Sequence, residues 1–183
     1  MADTTKIKIS NGLLRLMEKT DVSRITVKSL IQECGISRQT FYYHFKDIDD
    51  ALEWTVSDIT DELINRSLKA DSIKPAVEIF VSSFADKYPM LKKLMESSKR
   101  ARIEEMMIKS VRTYLERMVM IKRPDLPLNY TDLDMLLCFD AYGLIGTLIE
   151  FCGRPNIDNH ILSEKLEKIF LKQLDDIEKL TFK

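Results

Sequence analysis

"ECGISRQTFYYHFKDIDD", Glu33 to Asp50, is the stretch on which the reading of this chain turns. Its "FYYHF" sets four aromatic rings and a histidine in five consecutive positions, in a chain that is only 8% aromatic. Helical spacing separates them. Phe41 and Phe45 are i, i+4 and share one face, where Val27, Leu30, Ile31 and Ile36 complete a small core. Gln39, Tyr42, Tyr43 and Lys46 form a second face, carrying an amide, two phenols and an ammonium. Burying both tyrosines and His44 in so small a core would require partners for three polar groups. Two faces are therefore expected, one packed and one turned outward.

The residues around this helix punctuate it. Thr26 is placed to cap a short helix, "VKSLIQEC", and Gly35 to stop it, since glycine enters a left-handed turn at least cost. Ser37 can cap "RQTFYYHF", and Asp47 a fourth helix from Ile48 to about Leu68, with Asp50 near its positive end. Two short helices joined by Cys34-Gly35-Ile36 make a helix-turn-helix, whose second helix fits the major groove of duplex DNA. Arg38 stands at the start of that helix, where base contacts concentrate, and its fork matches guanine O6 and N7. Gln39, Tyr42 and Tyr43 share the reading face. Thr26, Lys28, Ser37, Thr40, His44 and Lys46 fall to the phosphate side.

Charge supports that placement. The net charge is −1, but residues 1 to 46 hold 8 Lys/Arg against 4 Asp/Glu, and the remainder 20 against 25. A basic first quarter precedes an acidic body.

The rest of the chain reads as helix. There are only five glycines and five prolines, and no stretch shows strand alternation. An amino-terminal helix is expected over residues 4 to 20. The prolines, read as breaks, divide the region beyond Leu68 into helices at about 75–87, 90–98, 100–121, 132–153 and 159–181. The expected fold is all-α with about nine helices: a helix-turn-helix subdomain and a larger helical body. We place a DNA-binding domain at 1–50 and an effector-binding and dimerisation domain at 51–183.

Three cysteines (Cys34, Cys138, Cys152) lack metal-ligand spacing, and Cys138 and Cys152 would lie roughly 21 Å apart on one helix. They are read as reduced structural thiols, and no metal or cofactor is expected. "MLLCFDAYGLIGTLIEFC", Met135 to Cys152, carries Asp140 and Glu150, which are costly in lipid. With no apolar leader in "MADTTKIKIS", we expect a cytoplasmic protein without a membrane partner. His44 and His160 are the only histidines. No catalytic triad, phosphate loop or HExxH spacing appears, so an enzyme is not expected.

"TVKSLIQECGISRQTFYYHFKDIDDALEW", Thr26 to Trp54, resembles the DNA-binding region of the TetR family of transcriptional regulators. The resemblance rests on Thr26, Gly35, Ile36, Ser37, Thr40, Phe41, Tyr42, His44, Phe45 and Lys46. The wording around "ECGISRQTFYYHF" is especially similar to a subgroup of dihydroxyacetone kinase regulators. Asp49 and Asp50 depart from the family by making the start of the fourth helix more acidic.

The resemblance implies a homodimer on a near-palindromic DNA operator, and a body that senses a small-molecule or protein effector. Repression is the commoner mode. The subgroup would imply an activator controlled by a protein partner, and a helix-turn-helix-like protein-interaction module is a further alternative. Independently, the helix from Leu133 to Phe151 is apolar nearly all round, with Gly143 and Gly146 permitting close approach of another helix. The last helix carries a stripe of Ile161, Leu162, Leu166, Ile169, Phe170, Leu174, Ile177 and Leu180. Candidate effector residues are Phe84, Tyr88, Met106, Met107, Tyr114, Asp140 and Tyr142. Asp140 is the most pointed, because a carboxylate in an apolar helix needs a partner.

Overall fold

The computed structural model describes residues 4–152, 154 and 158–180, with the side chains of Glu178 and Leu180 excepted. Pro155 and the Leu180 end of the expected stripe therefore lie outside the described side chains. Among the described residues eight α-helices follow one another: α1 (Thr4–Lys19), α2 (Val27–Cys34), α3 (Arg38–His44), α4 (Ile48–Leu68), α5 (Ile73–Met95), α6 (Arg100–Lys122), α7 (Tyr130–Phe151) and α8 (Asn159–Leu180). A single 3-10 turn, Val22–Arg24, separates α1 from α2, and no strand occurs among the described residues.

One helix fewer than expected forms, because 75–87 and 90–98 are continuous in α5 through Pro89. A proline inside a helix costs about 3 kcal/mol through its missing N–H and ring clash. Val77, Phe80 and Val81 are buried before it and Leu94 after it. At about 1.5–3 kcal/mol for each fully buried side chain, packing on both sides outweighs the break.

The chain divides into two compact units: Met1–Ile59 with Pro89–Met106, and Thr60–Tyr88 with Met107–Lys183. Helices α4, α5 and α6 each contribute to both, and α5 changes unit at Pro89.

The first unit packs Ile9, Leu13 and Met17 of α1 against Leu30, Cys34, Phe41 and Phe45, all buried. Their four-residue spacing on α1 is the helical period of a core face. Gly12 permits a close approach: a Cβ there would lie 2.3 Å from the Cys34 sulfur. That thiol points to the Lys8 carbonyl at 3.6 Å. Arg15 Nε on α1 also pairs with Glu33 on α2 at 2.7 Å, which holds the Glu33 carboxyl below its ordinary range.

The second unit buries Val77, Phe80 and Val81 with Tyr114, Leu144, Leu148 and Leu166. Asn129 caps α7 by accepting from Asp132 N at 2.9 Å, and Asp158 accepts from Ile161 N at the start of α8. Part of α7 stays uncovered in this chain. Met135, Cys138, Phe139, Tyr142, Gly143 and Gly146 are exposed, Phe139 at 74%, and nothing lies within 4 Å of a Cβ built on either glycine. Among the described residues, no helix is long and apolar enough to cross a membrane.

Candidate nucleic-acid interface and ligand cavity

The turn between α2 and α3 is built by its caps. Thr26 Oγ1 accepts from Ser29 N at 3.1 Å and Ser29 Oγ from Thr26 N at 3.0 Å, a reciprocal capping box at the start of α2. Gly35 ends that helix at φ 58°, ψ 47°, a left-handed conformation that favours glycine. Its N–H and that of Ile36 return to the Gln32 and Ile31 carbonyls. Ser37 Oγ then accepts from Thr40 N at 2.9 Å and opens α3.

The helix expected over "RQTFYYHF" ends at His44, with Phe45 extended as its cap and Lys46 beyond it, and across α3 and that cap the aromatic cluster divides. Phe41 is fully buried and Phe45 nearly so, while Tyr42 and Tyr43 are exposed, Tyr43 at 84%. Arg38, Gln39 and Lys46 are exposed with them, as are Thr26, Lys28 and Ser37; Thr40 and His44 are half-buried. The outer face is ordered from within. Arg38 Nη2 donates to the Tyr42 hydroxyl at 3.3 Å, and its guanidinium stands 5.5 Å from that ring's centre. Tyr43 meets His44 edge-on at 4.9 Å. Lys6 of α1 escaped the sequence reading: its ammonium lies 5.6 Å from the Phe45 ring and 5.7 Å from that of Trp54. It joins α1 to the packed side of the same helix.

The acidic start of α4 has a structural use. Asp47 Oδ1 accepts from Asp50 N, and Asp50 Oδ2 from Lys46 N, each at 2.8 Å. Asp49 pairs with Lys99, and Glu53 with Arg102 at 3.2 Å. The carboxylates that depart from the family pattern are thus committed to caps and ion pairs, and Lys46 is positioned by its backbone rather than neutralised through its side chain.

Helix-turn-helix geometry with Arg38, Gln39 and Tyr42 outward suits groove contacts. Residues 9–53 match the family described as bacterial regulatory proteins, tetR family. Over those residues the chain is similar to that family. No curated protein matches the chain by sequence. Among solved structures it is similar to the dihydroxyacetone kinase operon activator DhaS, at 19% identity over 94% of this chain and 97% of that one, TM-score 0.70. It is also similar to the TetR family repressor AlkX from Dietzia sp. strain DQ12-45-1b, at 14% identity over 94% and 96%, TM-score 0.56. The fatty acid degradation regulator FadR from Bacillus halodurans aligns at 13% identity over 92% and 95%, TM-score 0.54. At these identities the likeness is one of fold: a helix-turn-helix followed by a helical body.

Within the second unit, α5 to α8 surround a cavity of about 300 Å³. Val77, Tyr114, Met118, Leu137, Phe170 and Leu174 supply apolar walls, and Asp140 and Gln173 supply polar groups. Gln173 Nε2 donates to Asp140 Oδ1 at 3.0 Å. Burial pushes the Asp140 carboxyl above its ordinary pKa, an effect that the Gln173 hydrogen bond opposes. Burial likewise raises the pKa of the Tyr114 phenol.

Of the effector residues read from sequence, the structure brings Tyr114 and Asp140 together here. The other five do not line this cavity. Phe84 is half-buried, and Tyr88 points its hydroxyl to the Ile149 carbonyl at 3.4 Å. Met106 and Met107 are core residues, and Tyr142 is exposed. The missed wall residues Phe170 and Leu174 were legible only as members of the α8 stripe.

Proposed function

We propose that this chain is a sequence-specific transcriptional regulator that binds a near-palindromic operator as a homodimer and is controlled by an effector in its helical body. The observation that carries the reading is the division of α3 and the two residues after it: Phe41 and Phe45 are buried, and Arg38, Gln39, Tyr42, Tyr43 and Lys46 stand outward. The outward groups are those that pair with base edges and phosphates. Thr26, Lys28, Ser37, Thr40 and His44 flank them as phosphate-side residues. Functionally, residues 1–50 bind DNA, and residues 51–183 dimerise and sense.

The exposed apolar face of α7 supports the dimer, since a patch of this kind marks an interface, and the largely apolar cavity lined by α5 to α8 supports effector control. Repression is the mode we assign. The likeness to the operon activator DhaS favours activation as a second reading. Titrating the affinity for selected duplexes against salt tests the function: neutralised phosphates make affinity fall steeply as salt rises. A flat response would instead identify a protein-interaction module. Transcription from a reporter carrying the selected operator distinguishes the two modes.

A further inference from the structure

We propose that the cavity of the second unit binds an apolar molecule bearing a single cationic amine, with Asp140 as its counter-ion. The inference rests on the effector-controlled reading above and names the ligand class of that control. A cavity of about 300 Å³ lies at the lower bound of small-molecule sites. Its walls are mostly apolar, from Val77 on α5 to Phe170 on α8.

The cavity's charges decide the ligand's polar end. Asp140 rises from the middle of α7 between apolar neighbours, and the neutral Gln173 amide is its hydrogen-bond donor among the described residues. A carboxylate taken from water needs an opposite charge or several donors to recover its solvation. Two cations also border the cavity, and each is already held by an oxygen acceptor. Lys122 Nζ donates to the Ala70 carbonyl at 2.9 Å, and Arg123 Nε pairs with Asp125 at 3.2 Å. Asp71, at the start of α5, adds a second negative charge to the lining.

A carboxylate ligand would therefore meet like charge at Asp140, and a neutral one would leave that group as it is. An ammonium supplies both the charge and the hydrogen-bond donors that Asp140 lacks, while its chain occupies the space beside Tyr114, Met118 and Leu137.

Calorimetric titration of the full chain with octylammonium, octanol and octanoate, without DNA, tests this ligand preference. Octylammonium is expected to bind at least about tenfold more tightly than octanol, a 1.4 kcal/mol difference, and octanoate more weakly than either. Asp140→Asn is expected to abolish the preference for the amine over octanol. Equal or tighter binding of octanoate, an amine preference that survives Asp140→Asn, or no binding of any of the three would overturn the proposal. Operator binding is measured separately on the same protein, so a failure of DNA recognition remains distinguishable from a failure of the ligand assignment.

Discussion

Arg38 and Tyr42, one turn apart on α3, hold each other on the exposed face of that helix. The guanidinium donates to the phenol oxygen at 3.3 Å and lies 5.5 Å from the ring centre. At an exposed site such a contact contributes about 0.5–1 kcal/mol. Its greater value is preorganisation: a free arginine carries about 2 kcal/mol of rotamer entropy, part of which is already lost here before any base is met.

Operator binding should therefore couple these two residues. Arg38→Ala is expected to relax sequence preference by about 1–3 kcal/mol for a lost bidentate contact. Tyr42→Ala should weaken binding and also loosen the preference that Arg38 supplies. The double variant should consequently cost less than the sum of the single ones. Tyr42→Phe retains the ring and should behave closer to the native chain. Strict additivity in fluorescence anisotropy would show that Arg38 reads DNA without help from Tyr42.

Gly12 leaves no room for a side chain where α1 meets Cys34 of α2, and its replacement should be felt as overpacking. A Cβ there sits 2.3 Å from the Cys34 sulfur, which is buried. Gly12→Ala is expected to destabilise the fold by about 1–3 kcal/mol, even though alanine is the better helix former. Cys34→Ala removes the obstructing atom, so the double variant should recover much of the loss. Urea unfolding of the three variants checks the coupling. If Gly12→Ala is neutral on its own, α1 and α2 adjust more freely than their packing indicates.

Asp140 gives stability a pH dependence of definite sign. Its folded pKa is raised by burial, the Gln173 hydrogen bond opposing this in part. In the window between the unfolded and the raised folded pKa, the folded state binds more protons than the unfolded state. Stability from this group therefore falls as pH rises through that window and is level above it. Asp140→Asn should remove this dependence, gaining on the native chain as pH rises. Thermal melts of both proteins across the mildly acidic range measure the difference. A gain for Asp140→Asn in the opposite direction would mean that a cation already pairs with the carboxylate.

The parts of the molecule legible in the sequence are those set by local rules. Caps at Thr26, Ser37 and Asp47 and the left-handed turn at Gly35 act within three or four residues, so the chain announces them. Phe41 and Phe45 report their burial by spacing alone. Pro89 misled because its local cost is overridden by Val77, Phe80, Val81 and Leu94, whose packing partners are distant in sequence. The cavity was only partly legible for a related reason. A space is defined by what four helices leave unfilled, and Phe170 and Leu174 look like any apolar stripe. Tyr114 and Asp140 stood out as polar groups on apolar helices, whereas Phe84, Tyr88, Met106, Met107 and Tyr142 were chosen by residue type, which does not fix direction.

The uncovered face of α7 leads to the last prediction. Phe139 is 74% exposed and Tyr142 59%, beside two glycines with open space above them. Covering this face with the same face of a second chain would bury both rings and let the backbones approach at Gly143 and Gly146. A charge placed there should oppose that burial, because desolvating an unpaired carboxylate costs several kcal/mol. Phe139→Glu is therefore expected to shift the protein from dimer to monomer in sedimentation velocity with its helix content retained. Affinity for a two-half-site operator should drop with it, because a monomer engages one half-site at a time, while binding to an isolated half-site should stay the same. A dimer that persists in Phe139→Glu would place the assembly surface elsewhere.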